Sequence, residues 1–166
     1  MSATFTSTYS RTHTAKYVSD KMRNVLKYLI SYYGLNPTAL LDSWTDWVDS
    51  GAREMLELGH LEKIVIEFYK PGSDQALARW DFPIRYDGNG ADEMWVDREF
   101  LEGSFAKTTS PPAGCIYRIL LQPLPGAPLP SFMSYSSYKS LNGMVGREAG
   151  TIVSTPDIMA SMKYYR

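Results

Sequence analysis

Ala78, Trp80, Phe82, Ile84 and Tyr86 alternate without a break with Arg79, Asp81 and Arg85. A strand with this period of two buries one face and needs a layer to cover it. The run just upstream has the same period, with Ile64, Ile66 and Phe68 on one face after Leu61. Pro71-Gly72-Ser73-Asp74 between the runs supplies turn chemistry, so the two form an antiparallel hairpin. Pro83 falls on the polar face and suggests an edge position or a bulge, because proline cannot donate to a ladder.

The covering layer is written upstream. Ala15, Val18, Met22, Val25, Leu29 and Tyr32 recur at spacings of three and four, and Leu26, Ile30 and Tyr33 widen the stripe. This is an amphipathic helix with a broad buried face. Thr14 is placed to cap its start and Gly34 to end it. Residues 1–12, rich in Thr and Ser, disfavour helix and read as a flexible end. Asn36-Pro37 opens a second helical stretch through Leu40, Leu41, Trp44, Trp47 and Val48. Ser50-Gly51 is expected to break or kink it before it resumes at Met55 and stops at Gly59.

After a loop at 87–92, a short helix is expected over about 96–107, with Phe100, Leu101 and Phe105 inward. Cys115 to Gln122 reads as a third strand, central and mostly buried. Pro123, Pro125, Pro128 and Pro130 then fall within eight residues, which forbids helix and favours an extended connector. Residues 131–150 combine five Ser and three Gly with Phe132, Met133, Tyr135, Tyr138, Leu141, Met144 and Val145. That is too apolar for a plain linker and too weakly periodic for a fixed helix. Ile152 to Arg166 have room for one or two more strands. The 166 residues therefore read as one domain, with a core over 13–122 and a proline-rich connector and C-terminal segment over 123–166. The core is expected to stand without the residues beyond Pro130.

Composition narrows the function classes. The formal net charge of −1 argues for neither nucleic acid nor an anionic membrane as partner. Residues 1–35 nevertheless hold five basic side chains against one acidic, and residues 36–110 seven against fifteen. One cysteine, Cys115, allows no internal disulfide, and the chain suits a reducing, cytoplasmic setting. No nucleophile elbow, P-loop or dinucleotide fingerprint is present. His13 and His60, the two histidines, stand far apart and make a poor metal set with Cys115. A Cys115–His60 nucleophile pair is outweighed by the apolar strand around the thiol, which reads as packing. Asp87-x-Asn89 starts like a calcium loop and then departs from it at Ala91, Asp92 and Arg98. The expectation is a binding protein without cofactor or metal.

Gly59-His-Leu-Glu-Lys-Ile-Val-Ile-Glu-Phe-Tyr69, Arg79-Trp-Asp-Phe-Pro-Ile-Arg-Tyr86, Met94-Trp-Val-Asp97, Cys115-Ile-Tyr-Arg-Ile-Leu120 and the helix over Thr12–Gly34 together resemble the HORMA domain. The wording is most similar to bacterial HORMA proteins encoded beside cGAS-like nucleotidyltransferases in anti-phage CBASS operons. The resemblance covers about residues 8–125 well and the remainder by character. It implies an α+β fold, with an antiparallel sheet against about three helices and a C-terminal "safety belt". The belt would clamp a closure-motif peptide or protein, added to the sheet as a strand. The closed form would bind and activate the nucleotidyltransferase, and an AAA+ ATPase would reopen it by pulling on the N-terminus. A second HORMA protein is a further implied partner, with no direct nucleic acid and no membrane. The belt has no motif to match residue by residue. Its candidate peptide contacts are Phe132, Met133, Tyr135, Tyr138, Leu141 and Ile152, and the candidate handle for the ATPase is Thr4, Phe5, Thr6 and Tyr9. Two alternatives stand beside this reading: a small α+β enzyme, and a HORMA-like structural partner whose belt never closes.

Overall fold

The computed structural model describes residues 3–44, 48–86, 95–96, 98–108, 111–131 and 133–166. Among these, four helices cover one face of a six-stranded antiparallel sheet. The helices are α1 (Ala3–Tyr32), α2 (Thr38–Ser43), α3 (Asp49–Leu58) and α4 (Arg98–Ala106). The strands are β1 (Leu61–Tyr69), β2 (Ala76–Arg85), β3 (Trp95–Val96), β4 (Ile116–Pro123), β5 (Gly146–Ser154) and β6 (Met159–Tyr165). They lie in the order β3-β5-β6-β2-β1-β4. The expected α+β architecture is therefore present, and the described parts of the second helical stretch are α2 and α3.

The helix layer forms for the reason its spacing indicates. Val18, Met22, Val25, Leu26, Leu29 and Ile30 of α1 are buried against Ile64, Ile66, Phe68, Trp80, Phe82 and Ile84 of the hairpin. Each such side chain contributes roughly 1.5–3 kcal/mol by leaving water. Polar ends inside this core are satisfied: Trp80 Nε1 donates to Tyr33 Oη at 2.7 Å. At the end of α1, Gly34 takes φ 76°, and the amides of Gly34 and Leu35 donate back to the Ser31 and Ile30 carbonyls. Gly59 ends α3 in the same way, with His60 N donating to Met55 O at 2.8 Å. Both are glycine positions because the left-handed backbone closes the last turn without Cβ strain.

Five expectations need correction. Helix α1 begins at Ala3 rather than near Thr14, and the Thr14 hydroxyl donates to Arg11 O within the helix. Burial of the Ala15–Ile30 stripe carries the helix, and the weak propensity of the preceding Thr and Ser residues does not stop it. Ser50-Gly51 does not break the second stretch. Helix α3 runs unbroken through both residues from Asp49 to Leu58, and Gly51 is buried inside it. Pro83 sits on an interior strand, between β1 and β6. The β2–β6 pairing runs through Arg79, Trp80 and Asp81, skips Phe82 and Pro83, and resumes at Ile84, so the missing donor is absorbed by a gap in one ladder. Phe100 is 37% exposed, its ring against Gly150, whereas Leu101 and Phe105 are buried as expected. The fifth correction concerns β4, which lies at the sheet edge and is only partly buried.

The C-terminal residues are part of this body. β5 and β6 form a hairpin on the β2 side of the sheet. Ile152, Val153, Ile158, Ala160, Met162 and Tyr164 bury themselves in the shared core. The core over 13–122 is thus completed by strands from beyond Pro130.

Candidate functional site

Between β4 at one edge and the β5–β6 hairpin on the other side, residues 124–131 and 133–145 form a strap with almost no regular structure. Its start is pinned by Leu124 N donating to His60 O at 2.7 Å. A turn comes next, with Gly126 at φ 80° and Ala127 N bonded to Leu124 O. Met133 N then donates to Pro130 O. The strap returns to the sheet near Ser136 and reaches the β1–β2 turn, where Ser140 bridges Gln75 in parallel. There Ser140 N donates to Asp74 O and Ala76 N to Ser140 O.

The strap arcs away from β4 before it returns, and the space between is a groove of about 1060 Å³. Its walls include Ile119, Leu121, Leu124, Leu129 and Met133, and its mouth includes Ser134, Tyr135 and Tyr138. β4 pairs with β1 alone, and among the described residues no backbone hydrogen bond joins its outer edge to another strand. Alternate amides and carbonyls of an antiparallel edge strand point away from its partner. The groove therefore holds a row of unpaired backbone groups beside apolar walls, which is the chemistry that adds an extended peptide to a sheet.

A polar network holds the strap over the sheet face opposite the helices. Glu67 is fully buried at the middle of it. One carboxylate oxygen accepts from Arg118 Nε at 2.6 Å and the other from the Lys139 backbone amide at 2.7 Å. The Arg118 guanidinium also donates to Ser136 Oγ and to the Ser137 carbonyl, so it grips the strap from β4. Lys139 Nζ donates to Ser73 O and sits 4.4 Å from the centre of the Tyr69 ring. Tyr138 lies over Arg79, 4.2 Å from its guanidinium carbon, and its hydroxyl bonds Gln122. Arg79 and Lys63 in turn pair with buried Asp81 at 2.7 and 2.9 Å. Burial pushes the Tyr138 phenol up to about 12, against the charge of Arg79 and with those of Asp81, Glu67 and Glu62. It stays a neutral hydrogen-bonding group over the ordinary pH range.

The structure distributes the sequence candidates unevenly. Met133, Tyr135 and Tyr138 line the groove; Tyr135 is 81% exposed at its lip. Leu141 lies past the groove in the turn that bonds Met144 N to its carbonyl. Ile152 is a core residue of β5, on the other side of the sheet. Phe132 lies outside the described residues. Thr4, Phe5, Thr6 and Tyr9 fall in the first turns of α1. Glu67, Arg118, Gln122, Lys139 and Gly51 were not anticipated. A signal was there for the first two: they stand opposite each other on the second face of paired strands, and opposite charges placed so are a cross-strand pair. Cys115 is buried just before β4, and that burial pushes its thiol up, away from a reactive thiolate. Among the described residues no group of three or more His, Cys, Asp or Glu is arranged to hold a metal. No helix among them is long and apolar enough to cross a membrane.

Known proteins share this fold. A chain of the mitotic checkpoint complex superposes with a TM-score of 0.72 at 11% identity, over 92% of this chain and 97% of that one. A chain of the E. coli MS115-1 HORMA:CdnC:Trip13 complex gives 0.61 at 13% identity, over 94% and 89%. C. elegans HTP-2 bound to the HIM-3 closure motif gives 0.54 at 15% identity, over 79% and 71%. At these identities the likeness concerns the fold. No curated protein sequence matches the chain. The sequence model of bacterial HORMA domain 2 matches residues 3–166, nearly the whole length, and the chain belongs to that family of bacterial HORMA domains.

Proposed function

We propose that this HORMA domain is a non-enzymatic adaptor that clamps an extended closure-motif peptide between β4 and the strap, which acts as the safety belt. The observation that carries this is the unpaired outer edge of β4 facing a groove roofed by the chain itself. A strand added there gains main-chain hydrogen bonds, and the strap around it makes escape slow. The partners in this reading are the closure-motif peptide or protein, a cGAS-like nucleotidyltransferase activated by the closed form, and an AAA+ ATPase that reopens it. A second HORMA protein could supply the peptide. The reading places the protein in the cytoplasm, in anti-phage defence. It draws support from the E. coli complex, which joins a HORMA protein to CdnC and Trip13.

The N-terminus suits the handle role through one contact. Arg11 Nε on α1 pairs with Asp157 Oδ2 at 2.7 Å, in the turn between β5 and β6. Force on Thr4, Phe5, Thr6 and Tyr9 would reach that hairpin through α1. The test is affinity capture from the protein's own host, with the intact chain and with one lacking residues 2–10. The intact chain should recover a nucleotidyltransferase and an AAA+ ATPase, and the shortened chain should lose the ATPase alone. Recovery of neither by the intact chain would overturn the adaptor reading.

A further inference from the structure

Behind Met133, a residue of the groove wall, helix α3 offers bare backbone. A Cβ built on Gly51 of α3 would lie 2.3 Å from Met133 Cε, 3.4 Å from its Sδ and 3.6 Å from Leu121 Cδ1. Carbon atoms in good contact sit about 3.5–4.0 Å apart. The Met133 methyl therefore occupies a notch that exists because residue 51 has no side chain. Met133 is held at the backbone by its bond to Pro130 O, yet its side chain is unbranched and turns about three bonds. It can leave the notch without moving the strap.

A strand on the outer edge of β4 would need that notch. Directly opposed residues of neighbouring strands project to the same face, with Cβ atoms about 4.5–5.5 Å apart. Leu121, like Tyr117 and Ile119, packs toward the helix layer. The residue set against Leu121 on an added strand projects there too, into the space that Met133 now fills. The two side chains cannot share it.

We propose that the notch over Gly51 is the selectivity pocket of the groove, that it takes one unbranched or γ-branched apolar side chain of the docking peptide, and that Met133 is a stand-in displaced by that residue. This rests on the peptide-clamping reading above. The chemistry of the pocket is apolar because Leu121 and the helix backbone at Gly51 bound it. Among the described lining residues Arg118 alone is charged, and it is committed to Glu67, Ser136 and Ser137. A β-branched side chain is widest at its base, whereas the notch takes the slender end of Met133, so it fits less well than Met or Leu.

A random-peptide phage library selected on the intact chain and on Gly51→Ala gives the test, together with the Met133 methyl resonance in the wild-type protein. The wild type should select peptides with one position restricted to Met or Leu. On Gly51→Ala that position should relax to small residues while the rest of the motif stays, and wild-type peptides should bind about tenfold more weakly. In the wild type the Met133 methyl signal, assigned by its loss in Met133→Ala, should shift on binding. The new Cβ meets the end of a flexible side chain, so Gly51→Ala should fold, and the shift of the methyl signal on binding is read on the wild-type protein itself. If selected peptides protect β4 amides from exchange, yet bind both proteins equally and leave the Met133 methyl unmoved, the pocket assignment fails and the docking reading stands. Peptides that bind without protecting β4, or a selection with no binders, overturn both.

Discussion

Replacing Glu67 with Gln exchanges one carboxylate oxygen for NH2 and should loosen the strap selectively. Glu67 is fully buried, and its carboxylate accepts from Arg118 Nε and from the Lys139 amide. Hydrogen bonds to charged groups contribute about 1.5–3 kcal/mol each, and breaking a buried ion pair costs about 3–5 kcal/mol. The amide oxygen of Gln keeps one bond, but its NH2 then faces a donor. The Arg118 side chain is 26% exposed, so water recovers part of its loss. About 2–3 kcal/mol is the resulting cost, which is about 30- to 150-fold in a local opening equilibrium. Amide hydrogen exchange reads it directly. Lys139 and Ser140 should exchange faster by that factor, while Val25 and Leu29 in α1 change little. The reasoning is refuted if Lys139 and Ser140 are unaffected, or if they accelerate only in step with α1, since the carboxylate would then hold the whole fold and not the strap.

The same geometry yields three further outcomes. Tyr138 has its phenol raised from 10.0 to about 12 in the folded chain, so its neutral form stabilises the closed strap below pH 10 and that contribution is lost as pH rises toward 12; exchange at Lys139 should accelerate over that window, and Tyr138→Phe should abolish the dependence. Arg11→Ala removes a partly exposed ion pair with Asp157 and a cation–π contact on Tyr86, and thermal unfolding should register about 1 kcal/mol or less, with faster exchange at Ile158 in the β5–β6 turn. Cys115→Ala should cost about 1 kcal/mol or somewhat more in urea unfolding and leave peptide binding intact; loss of binding in a folded variant would return the thiol to the chemistry.

Much of the scaffold was legible because its signals are local. The period of two in 78–86 and of three to four in 15–33 follow from burial on one face, and β1, β2 and α1 answer to them. What the sequence hid depends on distant partners. Nothing near Cys115–Gln122 says that its outer side is left unpaired, so an apolar strand read as central. Nothing around Gly51 says that Met133 will need its missing Cβ; in sequence it looked like a helix breaker. The strap was recognisable by its prolines, serines and scattered aromatics, but its hold on the sheet depends on Glu67 and Arg118, strand residues far upstream. Ile152 looked like a strap contact by proximity in sequence, whereas the β5–β6 hairpin carries it into the core.

The central claim is that the outer edge of β4 receives an added strand beneath the strap. Hydrogen exchange of residues 116–123, with and without a peptide selected on the intact protein, tests it most directly. Alternate amides of β4, those pointing away from β1, should go from fast exchange to strong protection on binding, with the amides of residues 133–140 slowed alongside them. If the bound peptide leaves the β4 amides exchanging as before and protects another surface, the groove is not the docking site and the account is wrong.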